Sequence, residues 1–141
     1  MRMESQRKGD LTEAIVIAEL VKRDVPVSTP FGNNERYDLA VESPTGSLLR
    51  TQVKTGWFDG ETIRVKGHSQ HTNSTGNTYK LYDSDDVDCF LAYCHELETM
   101  YWIEESAFGS SIHLRVEEPE QVKSSINWAE EYEFDANWPP A

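Results

Sequence analysis

The sequence predicts an α+β fold (α/β in the wider sense): a mixed central β-sheet flanked by helices. Three observations carry this. One stretch near the N-terminus has a helical period, and several short runs alternate apolar and polar residues between turn residues. A strongly apolar run then follows late in the chain.

The helix is DLTEAIVIAELVKR, Asp10 to Arg23, with Leu11, Ala14, Ile15, Ala18, Leu20 and Val21 supplying the apolar positions. Asp10 is placed as its N-cap, and Glu13 stands three residues on, where a capping box needs it. Asp24 and Pro26 end it. After the turn at Gly32-Asn33-Asn34, Arg36–Glu42 alternates as a strand. Ser43-Pro44-Thr45-Gly46 then makes a tight turn into a hairpin partner, Ser47–Lys54, that ends at Gly56. Glu61–Lys66 is a further short strand, and GHSQHTNSTGNTYK reads as a long polar loop. Asp85–Tyr93 is the apolar strand; MYWIE and IHLRV are two more. A sheet of three or four strands fits this order.

The 141 residues suit one domain, 1–141, with an acidic and partly flexible C-terminal tail from about 125 that has room for a short helix before a disordered end. No run approaches the roughly 20 apolar residues of a membrane helix, and MRMESQRKGDLTEA lacks the apolar segment of a secretory signal. A cytoplasmic protein with no membrane partner is expected. Cys89 and Cys94 are an odd number of residues apart in one strand, so they face opposite sides and cannot pair. They read as small buried hydrophobes, and their spacing from His68 and His71 is too loose for zinc.

Charge is the strongest bulk signal: 25 acidic residues against 13 basic, net −12, with a pI near 4.6. Taken alone, this opposes a nucleic-acid partner. In the near-saturated salt of a halophile's cytoplasm, however, the Debye length falls to about 3 Å. A local basic patch then decides binding whatever the net charge. A halophilic origin accounts for the acid.

The stretch LLRTQVKTG places Gln52 and Lys54 on one strand face and Thr51, Val53 and Thr55 on the other. Pairing across the Pro44–Gly46 turn brings Asp38 to the same end of the hairpin. Glu13, on a helix that must pack on this sheet, leans over the same edge. Two carboxylates, an amide oxygen and an ammonium are suited to a hard cation such as Mg²⁺ and to phosphodiester hydrolysis.

These residues resemble the PD-(D/E)XK nuclease superfamily, and within it the group I intron-associated endonucleases, which use a QxK variant. KGDLTEA, PFGNNERYDLAV and LLRTQVKTG carry the likeness, with DVDCFLAYC as the later core strand. The resemblance implies a restriction-endonuclease-like core, a divalent metal (Mg²⁺, with Mn²⁺ as a substitute) and hydrolysis of DNA. It assigns Asp38 as the metal-bridging aspartate, Lys54 as the catalytic lysine and Glu13 as the helix carboxylate. Asp38, Gln52 and Glu13 would then be the metal ligands. The usual proline before the aspartate is Tyr37 here, and the usual acid before X-Lys is Gln52, an oxygen donor without charge. Cleaving a duplex with one small site per chain implies a homodimer or higher homo-oligomer.

Blander readings stand beside this one. Glu13 serves as a capping residue, Asp38 opens a strand, and Lys54 guards a sheet edge against aggregation. A junction-resolving nuclease is one alternative to a plain endonuclease, and a catalytically inactive DNA- or protein-binding module is another. Lys66, His68, Ser69, His71 and Lys80 are candidate phosphate contacts around the polar loop. Trp102, Trp128 and Trp138 read as core or interface.

Overall fold

The computed structural model describes residues 5–32, 35–66, 68–73, 76–81, 86–107, 111–117 and 126–140, with only the backbone described for 68–73 and 76–81. Helix α1 runs from Ser5 to Lys22, so it begins before the expected start at Asp10. Asp10 is an interior helical residue, and Glu13 lies mid-helix rather than in a capping box. The buried stripe also differs in phase: Thr12, Val16 and Leu20 face the core, while Leu11 and Val21 are exposed. The run AIVIAELV is apolar around most of its circumference, so periodicity alone does not choose the buried face. Thr12 can occupy it because its hydroxyl is satisfied, donating to the Lys8 carbonyl at 2.8 Å.

The helix ends in a Schellman motif. Asp24 adopts φ 56°, its N–H bonds to the Val21 carbonyl, and the Val25 N–H bonds to that of Leu20. Val25 and Leu20 both enter the core.

Among the described residues seven strands form the sheet rather than three or four. Strand β1 (Val27–Ser28) pairs antiparallel with β2 (Leu39–Glu42), and β2 with β3 (Leu48–Phe58). Strand β4 (Thr62–Lys66) joins the far end of β3. A hairpin of β5 (His68–Asn73) and β6 (Gly76–Leu81) replaces the expected polar loop. Strand β7 (Cys89–Cys94) lies parallel to β3 and β8 (Thr99–Glu104) antiparallel to β7, while β9 (Ser111–Arg115) pairs with β4.

The strand count exceeds the expectation because β3 does not stop at Gly56. It continues to Phe58, so one eleven-residue strand serves β2, β7 and β4. Gly56 is a close-approach position instead: a Cβ there would lie 2.7 Å from Ile63 Cγ2. Gly56→Ala is therefore expected to destabilise the protein by about 1–3 kcal/mol, as overpacking does, read as a lower midpoint in urea denaturation with an unchanged slope.

Two apolar layers result. Val16, Leu20, Leu39, Val41, Val53, Leu91 and Trp102 pack between the sheet and α1. Ile63, Val65, Phe90, Ala92, Ile103 and Leu114 cluster on the other face. All six residues of β7 are buried, as expected of a central strand covered on both sides. Cys89 falls in the first layer and Cys94 in the second, both free thiols.

The segment after residue 125 is part of this core, contrary to the expected flexible tail. It forms α2 (Ala129–Tyr132) and α3 (Phe134–Asn137). Phe134 is buried and stacks on Trp138 at 5.3 Å between centroids, with Trp102 edge-on to both. Arg23 grips Asp135 through bonds of 2.7 and 3.0 Å, tying this segment to the end of α1.

Candidate active site

The sheet contains a notch. Strand β2 leaves β3 at Thr51, opposite Leu39, and β4 joins it only at Trp57, opposite Arg64. Between them no strand pairs with that edge of β3 among the described residues. The chain just before β2 occupies the gap. The Asp38 N–H bonds to the Thr51 carbonyl at 2.9 Å, extending the ladder by one residue. The Asp38 carboxylate then does what a neighbouring strand would do, and its Oδ2 accepts the Val53 N–H at 2.9 Å.

By this register Asp38 lies opposite Gln52, and directly opposed residues of an antiparallel pair share a face. Gln52 Nε2 accordingly donates to Asp38 Oδ2 at 2.9 Å. Its carbonyl, Oε1, is buried and has no hydrogen-bond partner among the described residues. Exchanging the amide O and N would aim an oxygen at the carboxylate, so the bond to Asp38 fixes the orientation. An unsatisfied buried acceptor costs about 1–3 kcal/mol, and such a group beside a carboxylate fits a cation ligand.

Lys54 is two residues on, on the face of Gln52. Burial pushes its ammonium down to about 8; the Asp38 charge opposes this and the Arg36 charge adds to it. Asp38 itself is raised above the ordinary carboxylate range, chiefly by burial, against the Val53 N–H and the Lys54 charge. Glu13 is also raised, by burial first and then by the charges of Asp38 and Asp10. The Asp38 repulsion puts the Glu13 carboxyl within electrostatic reach of the hairpin, although α1 packs on the opposite face of the sheet.

A polar contact holds α1 at this point. Thr12 Oγ1, adjacent in sequence to Glu13, meets Thr55 Oγ1 at 2.9 Å and His95 Nε2 at 2.7 Å. With the Thr12 proton committed to the Lys8 carbonyl, both partners donate to it. No pattern in the sequence marks this link, because its members are 43 and 83 residues apart.

Arg36 is a further neighbour that sequence reasoning did not single out. It pairs with Asp86 at 3.9 Å, and its charge bears on Lys54. Its place two residues before Asp38 was the available signal. Lys66 is exposed at the end of β4. The side chains of His68, Ser69, His71 and Lys80 lie outside the described residues. Among those described, no three His, Cys, Asp or Glu side chains form a cation cage. The candidate ligand set is two carboxylates and an amide, a sparse all-oxygen set of the kind Mg²⁺ accepts while keeping several waters. No helix among the described residues is long and apolar enough to cross a membrane.

Comparison with known proteins bears on the fold and the family. No curated protein matches the chain. Among solved structures, a bacterial homing endonuclease, I-Ssp6803I, superposes with a TM-score of 0.75 at 28% identity, over 93% of this chain and 89% of its own. A sequence profile described as "PD-(D/E)XK endonuclease" matches residues 3–135. With nearly the whole chain matched and a restriction-endonuclease-like α+β sheet around the Asp38–Gln52–Lys54 notch, this protein belongs to the PD-(D/E)XK endonuclease family.

Proposed function

We propose that the chain is a divalent-metal-dependent DNA endonuclease that hydrolyses phosphodiester bonds. In this reading Asp38, Gln52 and Glu13 hold Mg²⁺, or Mn²⁺ in its place, and Lys54 stands at the attacking water. The supporting observation is the buried Gln52 Oε1, which lacks a partner while its own amide nitrogen is bonded to Asp38.

The bound ion would polarise the phosphodiester and make its water more acidic. The chain's own groups do the rest. Val53 N–H and Gln52 Nε2 fix one oxygen of Asp38, so the carboxylate is oriented before any ligand arrives. Gln52 turns its carbonyl away from that bond and contributes oxygen without charge. Glu13 adds the second negative charge from α1. Lys54, lowered to about 8, has a neutral fraction near physiological pH that can take a proton from water. Its cationic form faces the charge that builds on the phosphate.

Attack on both strands of a duplex calls for two such sites, so a homodimer or larger homo-oligomer is the working assembly in this reading. The acidic surface suits a halophile, and the assay therefore spans low and molar salt.

Supercoiled, linear and four-way-junction DNA incubated with Mg²⁺, Mn²⁺ or chelator tests the reading. Strand cleavage is expected with either ion and none with chelator. Calorimetric titration with Mn²⁺ is expected to show binding that Gln52→Leu weakens and Gln52→Glu strengthens. DNA binding with no cation uptake and no cleavage would instead identify an inactive binding module. Preferential cutting of the junction would identify a resolving nuclease.

A further inference from the structure

The far lip of the notch carries a second constellation. Trp57 is 47% exposed, unusual for so large an apolar ring. Lys8 of α1 lies over its indole, with Nζ 4.2 Å from the centroid. Arg64 pairs directly with Trp57 across β3 and β4, so the two share a face, and Lys66 follows two residues along it. Arg64 and Lys66 are exposed, while Ile63 and Val65 between them are buried. Trp57, Phe58, Asp59, Arg64 and Lys66 line a surface depression of about 360 Å³.

Several other cations of the chain are tied to acids. Lys22, Arg23, Arg36, Arg50 and Arg115 each contact a carboxylate. Among the described residues Lys8, Arg64 and Lys66 form no such ion pair, in a chain with 25 acidic residues. The one carboxylate on the depression, Asp59, is engaged within its own turn. It accepts the Glu61 and Thr62 N–H groups at 2.9 and 2.7 Å and the Thr62 hydroxyl at 3.1 Å. Uncompensated cations beside an exposed aromatic ring fit a polyanion with apolar sugars and bases, and its charge supplies what the protein surface withholds.

We propose that Trp57, Arg64 and Lys66, backed by Lys8, form a docking surface for the sugar-phosphate backbone of the DNA. This rests on the endonuclease reading and extends it to a contact outside the cleavage site. Trp57 is three residues along β3 from Lys54, about 10 Å at strand rise. It points to the other face of the sheet, but the unpaired edge of the notch lies between the two. Arg64 and Lys66 hold phosphates, and Trp57 presents its ring to the sugars and base edges of the same strand.

The test measures binding of a labelled duplex by fluorescence anisotropy over a salt series, with chelator present, in the Lys54→Ala background. The double substitution Arg64→Gln/Lys66→Gln is expected to make the plot of log affinity against log salt shallower by about 2, one per phosphate contact. Trp57→Ala is expected to weaken binding about tenfold. DNA is also expected to shield from acrylamide the fraction of tryptophan emission that Trp57→Phe removes.

If the double variant keeps its circular dichroism, its affinity and its salt slope, the surface is overturned. Wild type that fails to bind DNA at any salt overturns it as well. Wild type that cuts DNA while the slope is unchanged rejects the surface and spares the endonuclease reading. A fallen slope with no cleavage by wild type does the reverse.

Discussion

Lys54→Met is expected to reduce DNA strand cleavage by about 10²–10⁴-fold, the range for loss of a positioned proton-transfer or charge-stabilising group. Single-turnover assays with Mg²⁺ measure it, and DNA affinity in chelator should fall little. Because burial lowers the Lys54 ammonium to about 8, the folded state holds this proton less tightly than the unfolded chain, whose lysine titrates near 10.4. Stability therefore rises as pH increases from about 8 to about 10.4, where the unfolded state binds more protons. The methionine variant removes that dependence. Its gain in stability over wild type should be greatest below pH 8 and should vanish above the unfolded value. Cleavage by wild type should rise with pH and level off near 8 if the neutral amine takes the proton. A pH-independent rate would leave Lys54 only the role of a fixed positive charge, and cleavage surviving in Lys54→Met would remove it from the chemistry.

Asp38→Asn is the second large effect, and its sign differs between function and stability. Cleavage should fall by about 10²–10³-fold, with loss of Mn²⁺ binding by calorimetry. Thermal stability should rise at neutral pH, by about 0.5–2 kcal/mol. The carboxyl is raised by burial in spite of its hydrogen bonds. Between pH 3.8 and its folded value the native state binds more protons than the unfolded chain, so stability falls as pH rises through that window. At neutral pH the ionised Asp38 is a standing cost. An amide keeps an acceptor for Val53 N–H and removes the buried charge. A destabilised but active Asp38→Asn protein would mean that Asp38 is a structural partner of Val53 and Gln52 and no more.

The opposite signs have one cause. Asp38, Lys54 and Glu13 are all shifted toward their neutral forms, and burial is the leading cause in each. Groups arranged this way stabilise a charged ligand better than they stabilise the fold.

Much of the notch was legible because it is local. Asp38 and Gln52 are 14 residues apart, and the turn at Pro44–Gly46 sets their register. Strand alternation then puts Lys54 beside Gln52. Glu13 was placed by its position in the sequence, and the capping role considered for it does not hold, because α1 already includes Ser5. The buried face of α1 was read wrongly because its apolar residues almost encircle it. Gly56 was read as a strand end because its closeness to Ile63 is a contact between strands. The polar run after Lys66 was read as a loop because, among the described residues, β5 and β6 pair only with each other, and so lack the apolar alternation a core demands.

The sequence by itself determined the helix, the hairpin and its register, the opposite facing of Cys89 and Cys94, and the Asp38–Gln52–Lys54 face. Each of these follows from period, turn chemistry and short loop closure. Only the tertiary structure decided that β3 carries three partner strands and that the C-terminal segment packs through Phe134 and Trp138. It also decided that Thr12 meets His95, and that Trp57, Arg64 and Lys66 line one surface depression. Those contacts join residues far apart in the chain, and no local preference encodes which distant surfaces will exclude water together.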